Sequence, residues 1–294
     1  MWIGNGNKSV RVNIESRNLE KRCERRVEQI VGCGLLVALI SKVHLFFVGF
    51  KIYQQFPLDD AFFPDALQNE WLYLSTYVAT LVLVMAGLMV EHRKAAIVMR
   101  CFLVATLFLL CLHQQTYNDV TFMTGFWVAL WWLWFAIEKG RCQPRQLLER
   151  ATTFSHLILA MIFLGGAVGK CTPGYWNGDV IYGIYFESRN HWFFNTIRSL
   201  ASPDDLPVIA TWYSRMIITM EWCCAFIWIM PPRIGSALAL LTLLGISCFS
   251  NPYLISVVGS LIGLSMVGIV ATVDETTHHS AVEHAAHEVA KRLP

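Results

Sequence analysis

The sequence predicts an all-α integral membrane protein, a bundle of about eight transmembrane helices with one interfacial or re-entrant external loop. Three observations carry this. Hydrophobic residues make up 55% of the 294-residue chain and charged residues only 15%, where a soluble domain has about 25% charged residues. Apolar runs of about 18 residues or more recur along it, long enough to cross a hydrocarbon core of about 30 Å. The links between the runs alternate between basic and acidic or neutral, the pattern that sets orientation in a membrane. The net charge of +2 is spread along the chain and forms no patch for nucleic acid.

Residues 1–27 read as a cytoplasmic basic amphipathic segment. Lys8 to Gln29 are rich in Arg and Lys, which suits a helix on the membrane surface or a positive topogenic flank. No small-residue cleavage site follows the first apolar run, so no cleaved signal is expected. Residues 28–272 form the polytopic domain, with spans expected at 28–50, 71–90, 95–112, 120–137, 152–169, 211–230, 233–250 and 253–272. Pro57, Pro64, Pro231-Pro232 and Asn251-Pro252 fall between spans, where helices break. The last two spans are rich in Gly and Ser, which permits close helix packing in lipid. Residues 273–294 form a cytoplasmic His-rich tail with His278, His279, His284 and His287. It reads as a solvated, partly helical segment, with metal binding as the alternative.

The basic links are the N-terminus, Glu91 to Lys94, Glu138 to Arg150, Arg233, and the tail with Lys291 and Arg292. They share one side of an eight-span arrangement and place both termini in the cytoplasm. The membrane is then a bacterial inner membrane or an ER-type one. The acidic 51–70 loop and the HQQTYND link lie outside. So does the 170–210 connection, whose aromatic, half-apolar content suits a segment packed on protein at the interface. Nine cysteines are scattered with no CxxC, so neither a zinc site nor a disulfide framework is read from them. Cys171 is the cysteine with a redox reading, being close to the outer face.

On that outer face polar groups gather. His113, Tyr117, Asn118 and Asp119 lie between spans three and four, with Asp119 suited to cap the next helix. Lys170 ends span five in GGAVGKCTPGYWNGD, followed by Trp176, Asn177 and Asp179, and later by His191 and Trp192. Glu221, about ten residues into span six, is expected about 15 Å deep. An intramembrane carboxylate is costly unless paired or neutral, so it is either functional or structural. Lys42 in span one is one partner for it, whereas Arg215 falls on a different face. Lys170 is either a snorkelling anchor or, among apolar groups, a base. His113 is either a loop residue or a proton relay. The aromatic run from Phe126 to Phe135 reads as a packing or lipid-facing surface, with a wall for a flat ring as the alternative.

Three stretches resemble the HTTM family, the membrane domain shared with vitamin K-dependent gamma-carboxylase, and more distantly the DoxX-type quinone-linked proteins. They are HQQTYNDVTFMTGF, IFLGGAVGKCTPGYWNGD, and NHWFFN followed by a helix with an acid, here Glu221. The resemblance covers roughly residues 100–230. It implies a quinone or hydroquinone cofactor and Lys170 as the base. His113 is added on chemical grounds, and Glu221 completes the catalytic set. Tyr117, Asn118, Trp176, Asn177, His191 and Trp192 are then candidates for holding the cofactor. Two functional readings follow. One is a quinol-dependent oxidoreductase or carboxylase-like enzyme with an outward-facing quinone or lipid cavity. The other is a non-catalytic integral subunit that scaffolds other integral membrane proteins. No inverted repeat points to a transporter.

Overall fold

The computed structural model describes residues 6–56, 62–187, 190–249 and 254–271, with side chains from Lys21 onward. The elements are α1 (Gly6–Gln55), α2 (Glu70–Met89), α3 (Arg93–Leu112), α4 (Val120–Glu138) and α5 (Pro144–Gly169). Two short helices follow, α6 (Pro173–Trp176) and α7 (Asp179–Ile181), then a π-helical turn at Tyr182–Glu187. The chain closes with α8 (Trp192–Leu200), α9 (Leu206–Ala225), α10 (Pro232–Phe249) and α11 (Ile255–Ala271). The expected His-rich tail lies outside the described residues.

All eight expected spans fall on helices, but among the described residues six are long and apolar enough to cross a membrane. These are Lys21–Gln55 of α1, and α2, α3, α4, α5 and α10. The expected count of eight is corrected accordingly. α9 carries Arg215 and Glu221 within its twenty residues, and α11 is a shorter apolar helix. The chain is thus an all-α integral membrane protein, with apolar helix faces suited to lipid.

α1 runs through the expected boundary at residue 27 without a break. Cys23, Val27, Val31, Leu35, Leu39, Phe46 and Phe50 are buried along it. Their spacing of mostly four residues draws one stripe down a single helix face. α2, α4 and α5 pack on α1, and α3 packs in turn on α2 and α4. Trp131, Trp132 and Phe135 of α4 are fully buried and fill the core, so most of the aromatic run is a packing surface.

The packing of the Gly-rich α11 is as close as its composition suggests. A Cβ on Gly34 of α1 would lie 2.8 Å from the Gly259 carbonyl oxygen and 2.9 Å from Gly263 Cα. Backbone meets backbone here, a contact only small residues allow.

The antiparallel helices form two polar ends. At one, Arg100 of α3 donates to Glu28 of α1 at 3.0 Å and to the Trp132 carbonyl at 3.1 Å, while Lys139 reaches the second Glu28 oxygen at 2.6 Å. Arg93 caps α4 by donating to the carbonyls of Ala136 and Ile137. At the other end lie the start of α2, the link from α3 to α4, the start of α11 and the ends of α5 and α10. Bonds from His113 to Asn69 and between Thr121 and Ser256 tie it together.

The 170–210 connection is helical and built on α9. Ile181, Phe186, Phe194, Leu206 and Ala210 make a small core of their own. The short helices pack on α9, and side chains of α9 bond carbonyls at the end of α6, so polar backbone is met by protein.

Candidate functional site

α5 ends in Gly-Gly-Ala-Val-Gly, and Lys170 caps it. Its Nζ donates to both oxygens of Glu221, each at 2.8 Å. The lysine side chain is 25% exposed and the glutamate 10%. The carboxylate lies against Gly166, where a Cβ would be in ordinary van der Waals contact with Glu221 Oε2 at 3.4 Å. On another flank of α5, Gly165 and Gly169 face open space, with nothing within 4 Å of an added Cβ.

Glu221 is not deep in the bundle, as its position in the expected span had implied. α9 starts at Leu206 rather than near residue 211, and its first half projects past the end of α5. Glu221 therefore faces the last turn of α5 and pairs there. The expected Lys42 partner is also corrected. Lys42 Nζ instead lies 2.6 Å from Asp119 Oδ2, and Asp119 Oδ1 accepts from the Thr121 amide to cap α4 as expected.

The turn after Lys170 docks on α9 through three consecutive carbonyls. Ser214 donates to the Tyr175 carbonyl at 2.5 Å, Arg215 to that of Trp176 at 3.2 Å and Thr211 to that of Asn177 at 2.6 Å. Tyr175 and Trp176 close α6 and Asn177 caps it, where carbonyls lack the next turn's amides and look outward for donors. Gly178 then reverses the chain with φ +85, and a Cβ there would meet the Thr211 amide nitrogen at 2.5 Å. Glycine is required twice over, for the left-handed backbone and for the close approach. So Trp176 and Asn177 enter the site by their backbones.

His191 and Trp192 lie beside the small core built on α9. The His191 ring packs against Trp192 and Phe194, and its Nδ1 is buried with no hydrogen-bond partner among the described residues. Trp192 is exposed and leans on Phe249 at the end of α10.

The link between α3 and α4 forms a separate cluster at the same end of the bundle. His113 is buried. Its Nε2 donates to the Asn69 carbonyl at 3.1 Å, and its Nδ1 accepts from the Gln115 amide at 3.2 Å. A carbonyl can only accept and an amide N–H only donate, so the ring is held as the neutral Nε2–H tautomer. The ring stacks on Tyr73. Tyr117 packs on Phe62 and Phe63, and Asn118 turns the chain at φ 62. None of these three residues touches Lys170 or Glu221. The structure thus joins two of the three expected catalytic residues and seats the third elsewhere.

Burial pushes the His113 pKa down, with the Asn69 bond opposing it. The unfolded chain then binds a proton that the folded chain refuses. The stability is full above about pH 6.5 and falls as the pH drops below that towards the folded value. Melting curves of detergent-solubilised protein between pH 8 and pH 5 should show this loss, and His113→Gln should flatten it. Equal slopes in both proteins would refute the assignment.

Other residues of the site were not singled out from the sequence. Thr211, Ser214, Ile218 and Glu221 are spaced three, four and three apart, one helix face, and that spacing was the available signal. His156, buried midway along α5 and 2.9 Å from Ser236 Oγ, had no signal beyond being ionisable within a span. Among the described residues no group of three His, Cys, Asp or Glu could hold a metal ion.

No protein-family model, no curated protein and no solved structure matches the chain.

Proposed function

We propose that this is an HTTM-type integral membrane protein, related to the membrane domain of the gamma-carboxylase, whose Lys170–Glu221 pair is the proton-handling element of a quinol site at the outer face, with both termini in the cytoplasm. The observation that carries the reading is the pair itself. Lys170 sits where the resemblance puts a base, and it meets an acid from a helix 51 residues away at 2.8 Å in bidentate geometry. The residues suit a quinone. A quarter-exposed ammonium offers donors to a ring oxygen, and the open Gly165 and Gly169 flank presents bare backbone to a planar ring. A bound hydroquinone supplies an acidic phenolic hydroxyl. Glu221 would accept that proton, and the Lys170 ammonium would then balance the charge left on the ring oxygen, so no net charge stands unpaired in a low-dielectric setting.

The scaffold-subunit reading is favoured by one observation: the pair satisfies itself, as a structural ion pair does. Mass spectrometry of small molecules extracted from purified wild-type protein and Lys170→Ala separates the two. The quinol reading expects a stoichiometric quinone in the wild type and its loss from the variant. No quinone in either, with co-purifying membrane proteins, would favour the scaffold.

A further inference from the structure

The α5–α9 junction holds a second cation in a different setting. Arg215 lies six residues before Glu221, about 9 Å further along α9 and past the end of α5. Its guanidinium carbon is 5.1 Å from the ring centre of Trp176 and 5.8 Å from that of Trp212. Its Nε donates to the Trp176 carbonyl. No carboxylate lies within ion-pair distance of it among the described residues, so both terminal nitrogens keep their donors. Lys170 is neutralised by Glu221, whereas Arg215 is not neutralised. The two indoles are open, Trp176 at 50% and Trp212 at 67% exposure. Trp71 at the start of α2 and Trp192 at the start of α8 are exposed as well.

We propose that Trp176, Arg215 and Trp212 clamp the phosphate of a membrane phospholipid in the leaflet where α5 ends. The planar fork of terminal N–H groups matches a phosphate in bidentate fashion. The flanking indoles fix the fork's orientation and belong at the headgroup level, where tryptophan is enriched. The position fits that level, beyond the last turn of an apolar helix. A lipid suits the site better than a soluble phosphate because Met216, Cys223 and Phe226 are exposed further along α9 and at its C-cap, on the side of Arg215 that runs back alongside α5 into the bundle. They give an acyl chain an apolar track. This site stands independently of the quinol reading.

The test is native mass spectrometry of the full chain in detergent, titrated with phosphatidylglycerol. The first lipid should bind Arg215→Gln about tenfold more weakly than wild type, the size expected for a lost charge-assisted bond. Trp212→Leu leaves the bond from Arg215 to Trp176 in place, so weaker lipid binding there reports the clamp and not a misfolded turn. Inorganic phosphate at millimolar concentration should not displace the lipid. Equal lipid binding by wild type and both variants would overturn the clamp. Displacement by phosphate would assign the site to a soluble anion and overturn the lipid.

Discussion

Lys170→Met is expected to destabilise the folded protein by about 3 kcal/mol, the scale for removing one partner of a largely buried ion pair. The loss arises chiefly from what is left behind. Glu221 is only 10% exposed, and Lys170 is the partner that both its oxygens use. Without it the carboxylate must ionise unpaired or take up a proton, and either is unfavourable. Glu221→Leu alone should cost less, because a quarter-exposed ammonium on a flexible stem can turn to water. The double variant, Lys170→Met with Glu221→Leu, should recover most of the loss, since an apolar pair of similar volume replaces a costly ionic one. A double-mutant cycle in chemical or thermal unfolding measures this. Additive single losses, with no recovery in the double variant, would show that the two residues are not coupled. The cycle also bears on function: a double variant that folds well yet retains no quinone would separate the chemistry of the pair from its contribution to stability.

Gly34→Leu is expected to cost about 3 kcal/mol or more, at the upper end of overpacking effects. The added atoms would start 2.8 Å from the Gly259 carbonyl oxygen and 2.9 Å from Gly263 Cα. Both are backbone, so no side-chain rotation relieves the clash. α11 must move off α1 bodily, and with it the bond between Thr121 and Ser256. Gly34→Ala should already be clearly destabilising. Thermal unfolding and protease resistance of solubilised protein would check the order wild type, Ala, Leu. Two substitutions without effect would mean that α11 does not seat on Gly34.

Much of this architecture was legible in the residues. Apolar runs located eight helices, proline marked the breaks, Asp119 announced its cap, and the Gly-rich α11 announced its close packing. What was not legible is axial offset between helices. From the sequence Glu221 looks deep because an apolar run from 211 predicts a helix that begins level with the others. α9 starts at Leu206 and overshoots α5, and no local pattern records how far one helix slides past its neighbour. The same offset decides which charge meets which. Lys42 and Lys170 are both candidates for Glu221, and Lys170 is selected because α9 packs on α5 at a height that brings Glu221 to its last turn, while Lys42 on α1 meets Asp119. The overcount of spans has a related cause, since α9 and α11 are helices of the right place but not of the right length or apolarity.

The unbroken course of α1 has a consequence for how the bundle finds its alignment. In lipid an apolar stripe sets register weakly, because hydrocarbon surrounds a misaligned leucine as well as an aligned one. α1 carries two charges on roughly the same face, Glu28 and Lys42, fourteen residues and about 21 Å apart. One meets Arg100 and Lys139, the other Asp119. On one rigid rod they act like the two pins of a key. A slip by a single residue displaces each by about 1.5 Å along the axis and swings each by about 100°, so both ends unpair at once. The ladder of apolar side chains holds α1 in the bundle, and the two widely separated charges define which of its many near-equivalent settings is the native one.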